Sequence, residues 1–285
     1  MEELQKQKKI LEDMGYTVAY ICVYGSQNYW LVVSTPEYKS DLDMKAVIIP
    51  SLDDLINETQ PISTTITTEW WLCDLKDIRQ YAEILCKANP VYIETLYTDY
   101  FISTPIFDEI RALRKEIIYS LPNLFVRGAF GMIMEKREAL CHPYPSIKDK
   151  IEKYGYDPKQ LHHIVRLWKL IKTFIPTITE PQFQVEQGGF RDTLLRLKTS
   201  PMPLEEAVKL ADQYVENAKV LREWFSVYTE DYTIKDKIKN ISCRIVKDSI
   251  VQKPFNKKEY QKWYYLKYTK PKRQWTSKTS QTIKK

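Results

Sequence analysis

The chain has 285 residues, of which 44% are hydrophobic, 13% aromatic and only 7 glycine. That apolar content excludes wholesale disorder, and the lack of any GxGxxG or GxxxxGKS/T excludes a dinucleotide fingerprint or a P-loop. The net charge of +6 is unevenly spread: residues 235–285 hold 16 Lys/Arg against 3 Asp/Glu, the first 234 hold 27 against 34, and an acidic body with a basic extension points to an anionic partner. From the N-terminus, residues 2–13 read as an amphipathic helix and Thr17–Tyr24, rich in β-branched and aromatic residues, as a buried strand. Gly25-Ser26 breaks it and is predicted to open a short helix. Residues 41–49 form a second strand, stopped by Pro50, and Ser51 starts a short helix. Residues 65–73 form a third strand; Asp74 would then N-cap a helix carrying Leu75, Ile78, Tyr81, Ala82 and Leu85, and Asn89-Pro90 starts another short one. Beyond residue 103 a 3.6-residue period takes over, at 105–118, 122–140, 158–175 and 204–227.

These elements predict an α+β fold. A small mixed sheet with flanking helices occupies residues 1–102, a helical domain 103–234, and a basic aromatic tail 235–285. The five cysteines form no CxxC and make no zinc pattern with the three histidines, so isolated thiols in a reducing cytoplasm are expected. The 23 uncharged residues from Met14 to Pro36 include Gln27 and Asn28, which suits a buried strand and turn better than a membrane span. In the tail, Phe255, Tyr260, Trp263, Tyr264, Tyr265, Tyr268 and Trp275 alternate with cations, a pattern for stacking bases while meeting phosphates.

Three carboxylates stand out. Asp41 and Asp43 are two apart on a strand and project from one face, where a divalent cation is the usual means of relieving their repulsion. Gly25-Ser26, after a strand, suits a phosphate. Glu69 lies on an otherwise apolar strand. A phosphate cradle beside three carboxylates is what two-metal phosphoryl transfer requires.

The text YGSQNYW…STPEYKSDLDMKAVIIPS, DLKDIRQYAEILCKANPVYIETLY and KQLHHIVRLWKLI resembles the nucleotidyltransferases of the DNA polymerase β superfamily, and within it the RNA-repair-pathway polymerase-β-like branch of bacteria and phages. The resemblance covers most of residues 18–100 and parts of 157–220. It implies a phosphate-binding pair at Gly25 and Ser26, metal ligands at Asp41 and Asp43, and a third acid at Glu69, where the family usually has Asp; Asp74 is the other candidate, with an N-cap as its plain structural reading. Ser40, Lys159, His163 and Arg166, the last two in an HxxRL segment, are implied in nucleotide binding, and Lys159, His163 and Arg166 would present one cationic face. Trp30 and Ala46 stand where Gly is usual, and the spacing from Ser26 to Asp41 is longer than the family's. The implied activity is transfer of a nucleoside monophosphate from an NTP to a hydroxyl, with Mg²⁺ or Mn²⁺ and release of pyrophosphate. RNA, bound through the tail, is the favoured acceptor. A protein side chain or small molecule is the alternative acceptor, and a non-catalytic RNA-binding protein on a degenerate scaffold is the alternative class.

Overall fold

The computed structural model describes residues 1–34, 40–67 and 71–252. Glu69 and the aromatic run from Phe255 to Trp275 lie outside the described residues.

A five-stranded mixed sheet forms the N-terminal half. Strands β1 (Thr17–Tyr24), β2 (Leu42–Ile49), β3 (Ser63–Thr67), β4 (Trp71–Asp77) and β5 (Phe101–Ser103) lie in the order β3-β4-β2-β1-β5. All neighbours are antiparallel except β2 and β4, which run parallel. The alternation of side chains gives the central strands two buried faces. Ile21, Val23, Met44, Ile48, Cys73 and Leu75 pack under helix α1 (Glu2–Asp13) through Leu4 and Leu11. Tyr20, Cys22 and Val47 face the other way and join a larger core. Ala46, where the resembling family carries Gly, is buried on the α1 side, opposite Asp43 and Lys45.

The helices follow from local signals. Ser51 and Asp54 cap α2 (Leu52–Asn57) as a reciprocal box. Asp77, not Asp74, caps α3 (Ile78–Leu85) by accepting the Arg79 N–H at 2.8 Å. Asn89 caps α4 (Pro90–Ile93). The segment expected as one helix over 105–118 breaks at Leu113 into α5 (Pro105–Ala112) and α6 (Arg114–Ser120). Next come α7 (Pro122–Ala139), α8 (Lys148–Tyr154), α9 (Pro158–Thr173), α10 (Gly189–Thr199) and α11 (Leu204–Phe225). The region expected to be tail opens with helix α12 (Thr233–Gln252), which buries Ile234, Ile238 and Ile245. One continuous core runs from Tyr20 through Phe125 and Ile164 to Phe225 and Ile238.

Two local expectations are corrected. No helix follows Gly25: residues 25–30 form successive turns, closed by the Tyr29 N–H on the Gly25 carbonyl and the Leu31 N–H on the Ser26 carbonyl, both at 2.9 Å. The run read as a third strand is the pair β3 and β4, and Asp74 lies inside β4. The five cysteines are free, and no single described helix is long and apolar enough to cross a membrane.

Candidate active site

Asp43 lies near the start of β2, level with Tyr24 at the end of β1, and Asp41 immediately precedes β2. Gly25 follows Tyr24 with φ +74°, and a Cβ placed there would meet Asp43 Oδ2 at 3.1 Å. Glycine is therefore required both for the left-handed backbone and for the close approach of the carboxylate. The turn is then forced against the acidic pair. The N–H groups of Ser26, Gln27 and Asn28 have no acceptor among the described residues. A short run of such N–H groups suits an anion.

Two cations face the acids from the helical half. Lys159 sits in the first turn of α9, whose start Asp157 caps by accepting the Lys159 N–H at 3.1 Å. Lys198 lies near the end of α10 and reaches the Ser40 hydroxyl at 3.4 Å. Burial pushes the Asp43 carboxyl above the usual range and Asp41 adds to this, while Lys159, Lys45 and Lys198 pull it back. Burial likewise pushes the Lys198 ammonium down to about 8; Lys159 adds to that shift and Asp41 and Asp43 oppose it. Ser40 is itself pinned: its N–H donates to the Val33 carbonyl at 2.9 Å and its Oγ accepts the Val33 N–H at 3.0 Å. Its two bonds to Val33 fix the residue immediately before Asp41.

Asp74 is committed elsewhere. It accepts from Lys45 Nζ at 2.7 Å, from Lys76 Nζ at 2.6 Å and from the Tyr92 hydroxyl at 2.8 Å. Burial raises its carboxyl, but these partners overcome that and hold it below the usual range. In the parallel register Asp74 is level with Lys45, and the β4 residue level with Asp43 is Leu72. Among the described residues no group of three or more His, Cys, Asp or Glu is placed to hold a metal. Asp41 and Asp43 nevertheless suit a divalent cation such as Mg²⁺ or Mn²⁺: both offer hard oxygen donors, and Asp43 carries a burial penalty that its neighbouring lysines offset only in part.

The remaining nucleotide-binding candidates diverge. Arg166 is buried, its guanidinium 3.7 Å above the Tyr29 ring. Burial holds His163 neutral, well below its ordinary range, with its ring edge-on to His162. His162 is pushed down to about 3 by burial and is bonded through Nδ1 to the Leu194 carbonyl at 2.9 Å. Of the three residues, Lys159 acts on Asp43, whereas Arg166 packs on the turn. Trp30 has φ +60°, a left-handed conformation that Gly adopts without strain and other residues rarely do.

Sequence reading missed Lys45, Glu94 and Lys198. Glu94 is 2% exposed and accepts from the Gly25 N–H at 3.2 Å, from Asn28 Nδ2 at 2.9 Å and from the Tyr29 hydroxyl. Its signal lies in ANPVYIETLY, where a lone acid stands in an apolar helical turn. Lys45 stands as a lone cation in the strand MKAVII, a comparable signal, while Lys198 has none.

No family model matches the chain, and no curated protein does. Among solved structures it is similar to a nucleotidyltransferase-like protein from Exiguobacterium sibiricum 255-15, with 13% identity and a TM-score of 0.30, over 78% of this chain and 74% of that chain. A likeness at that level carries no argument about the site.

Proposed function

We propose that the protein transfers a nucleoside monophosphate from an NTP to a hydroxyl acceptor. The observation that carries this reading is the convergence at one end of the sheet. The Gly25 turn is held against Asp43, Asp41 stands beside it, Lys159 acts on Asp43, and Lys198 acts on both acids. In this reading Ser26 and the free N–H groups of the turn receive the distal phosphates, and Lys159 and Lys198 steady the triphosphate from the opposite side. Asp41 and Asp43 would hold Mg²⁺ or Mn²⁺, which when bound neutralises phosphate charge and favours ionisation of the acceptor. The acceptor oxygen bonds to the α-phosphorus, the bond from that phosphorus to the bridging oxygen breaks, and pyrophosphate leaves with the electron pair; the hydroxyl proton passes to solvent. RNA is the proposed acceptor, on the strength of the basic aromatic sequence after residue 252.

One observation favours a second reading, a binding protein on a degenerate scaffold: Leu72, not an acid, stands level with Asp43 on the neighbouring strand. Replacing both acids by amides separates the two. Asp43 has a raised folded pKa, so its contribution to stability is present below the unfolded carboxylate range and lost as pH rises through the folded value. At neutral pH, Asp41→Asn with Asp43→Asn should therefore raise the melting temperature of the metal-free protein. Transfer of labelled nucleotide should fall by about a hundredfold or more. Undiminished transfer would sink the reading.

A further inference from the structure

We infer that Glu94 is a positioning residue for the nucleotide, acting through the Gly25–Ser26 turn; the inference rests on the transfer reading above. Glu94 immediately follows α4, opening a short 3-10 turn, and is bonded to the Gly25 turn, not placed in the acid pair. Its two oxygens collect three donors from five consecutive residues: the Gly25 N–H and Asn28 Nδ2 on Oε1, and the Tyr29 hydroxyl on Oε2. Burial raises the Glu94 carboxyl above its usual range; the Arg166 charge and these three donors oppose that rise without cancelling it, and a buried carboxyl group is tolerated only with such partners. The converse holds for the turn, because the carboxylate fixes three of its points at once.

The consequence is directional. With the Gly25 N–H drawn inward to Glu94, the N–H groups free to meet a phosphate are those of the residues that follow, beginning with Ser26. The clamp is braced from the helical half. Arg166 stacks on Tyr29, Gln184 Nε2 donates to Asn28 Oδ1 at 3.2 Å, and the Val185 N–H donates to the Tyr29 carbonyl at 3.0 Å. Arg166 is thereby placed to act on the turn through Tyr29 and Glu94.

The full-length protein provides the test, with each of the four ribonucleoside triphosphates and Mg²⁺ as probe. Glu94→Gln keeps the size and removes the charge. KM for the triphosphate should rise about tenfold, as for outer-shell partners generally, with kcat within about threefold and a far smaller stabilisation of the melting temperature by nucleotide. Tyr29→Phe removes one donor and keeps the ring under Arg166; it should move KM in the same direction by a smaller factor, and it carries the test if Glu94→Gln does not fold. Unchanged KM in the folded variants, or a loss confined to kcat, overturns this role alone. A wild-type protein that binds none of the four triphosphates overturns both this role and the transfer reading.

Discussion

Gly25 meets two demands at one Cα. Its backbone is left-handed, and a Cβ there would sit 3.1 Å from Asp43 Oδ2, close enough that the carboxylate would have to shift slightly. Gly25→Ala should destabilise the fold by about 1–2 kcal/mol from the backbone alone, measurable by denaturant titration. It should also cut transfer more than that loss explains, because the methyl displaces the carboxylate. Wild-type turnover in Gly25→Ala would mean that the turn and the acid pair do not work together. Lys198 supplies a pH signature. Its ammonium loses charge near pH 8 under burial and the neighbouring Lys159 charge, so affinity for triphosphate should weaken as pH rises past that point. In Lys198→Arg, which stays charged, the weakening should disappear. A wild-type profile flat from pH 7 to 9 would remove Lys198 from the site.

The β2–β4 pair is where sequence and structure part. TITTEWWLC reads as one continuous β run because β-branched and aromatic residues fill it from end to end, whereas β3 ends at Thr67 and β4 begins at Trp71. Asp74 and Asp77 both precede a helical period, and a propensity argument takes the first. Structure selects Asp77, since Asp74 is drawn into β4 by Lys45, a partner 29 residues away that only the parallel register brings near. By contrast the boundaries of β1 and the helix starts at Ser51 and Asn89 were legible, because each depends on residues close in sequence. The basic character of α12 hid a buried stripe of isoleucines. Two expectations follow at this scale. Asp74→Ala leaves Lys45 buried without its carboxylate and should cost about 3 kcal/mol in equilibrium unfolding. Ile238→Ala should cost about 2–4 kcal/mol by opening a cavity under α12. A loss below about 1 kcal/mol in either would contradict the packing described.

For the whole molecule, charge and core divide differently. The core extends through α12, so removal of everything after Thr233 should unfold the protein, whereas a cut after Gln252 leaves every described core residue in place. The 33 residues removed by that second cut hold 11 Lys/Arg and one acid. If they bind RNA, the shortened chain should lose affinity by orders of magnitude, and its salt slope should flatten by about 0.7 for each phosphate that the shortened chain no longer neutralises. Equal affinity and slope in both chains would remove the physical case for RNA as acceptor. Transfer to a small hydroxyl compound should survive the cut, since the turn, the acids and both lysines lie within residues 25–198.

The most direct measurement follows the label rather than the variant. The protein is incubated with Mg²⁺, RNA and each ribonucleoside triphosphate, labelled in parallel at the α- and the γ-phosphorus. Nucleotidyl transfer predicts the α label on the acceptor and the γ label in pyrophosphate, in equal amounts. Label from the γ position on the acceptor, or γ label released as inorganic phosphate with the acceptor unlabelled, would contradict the account.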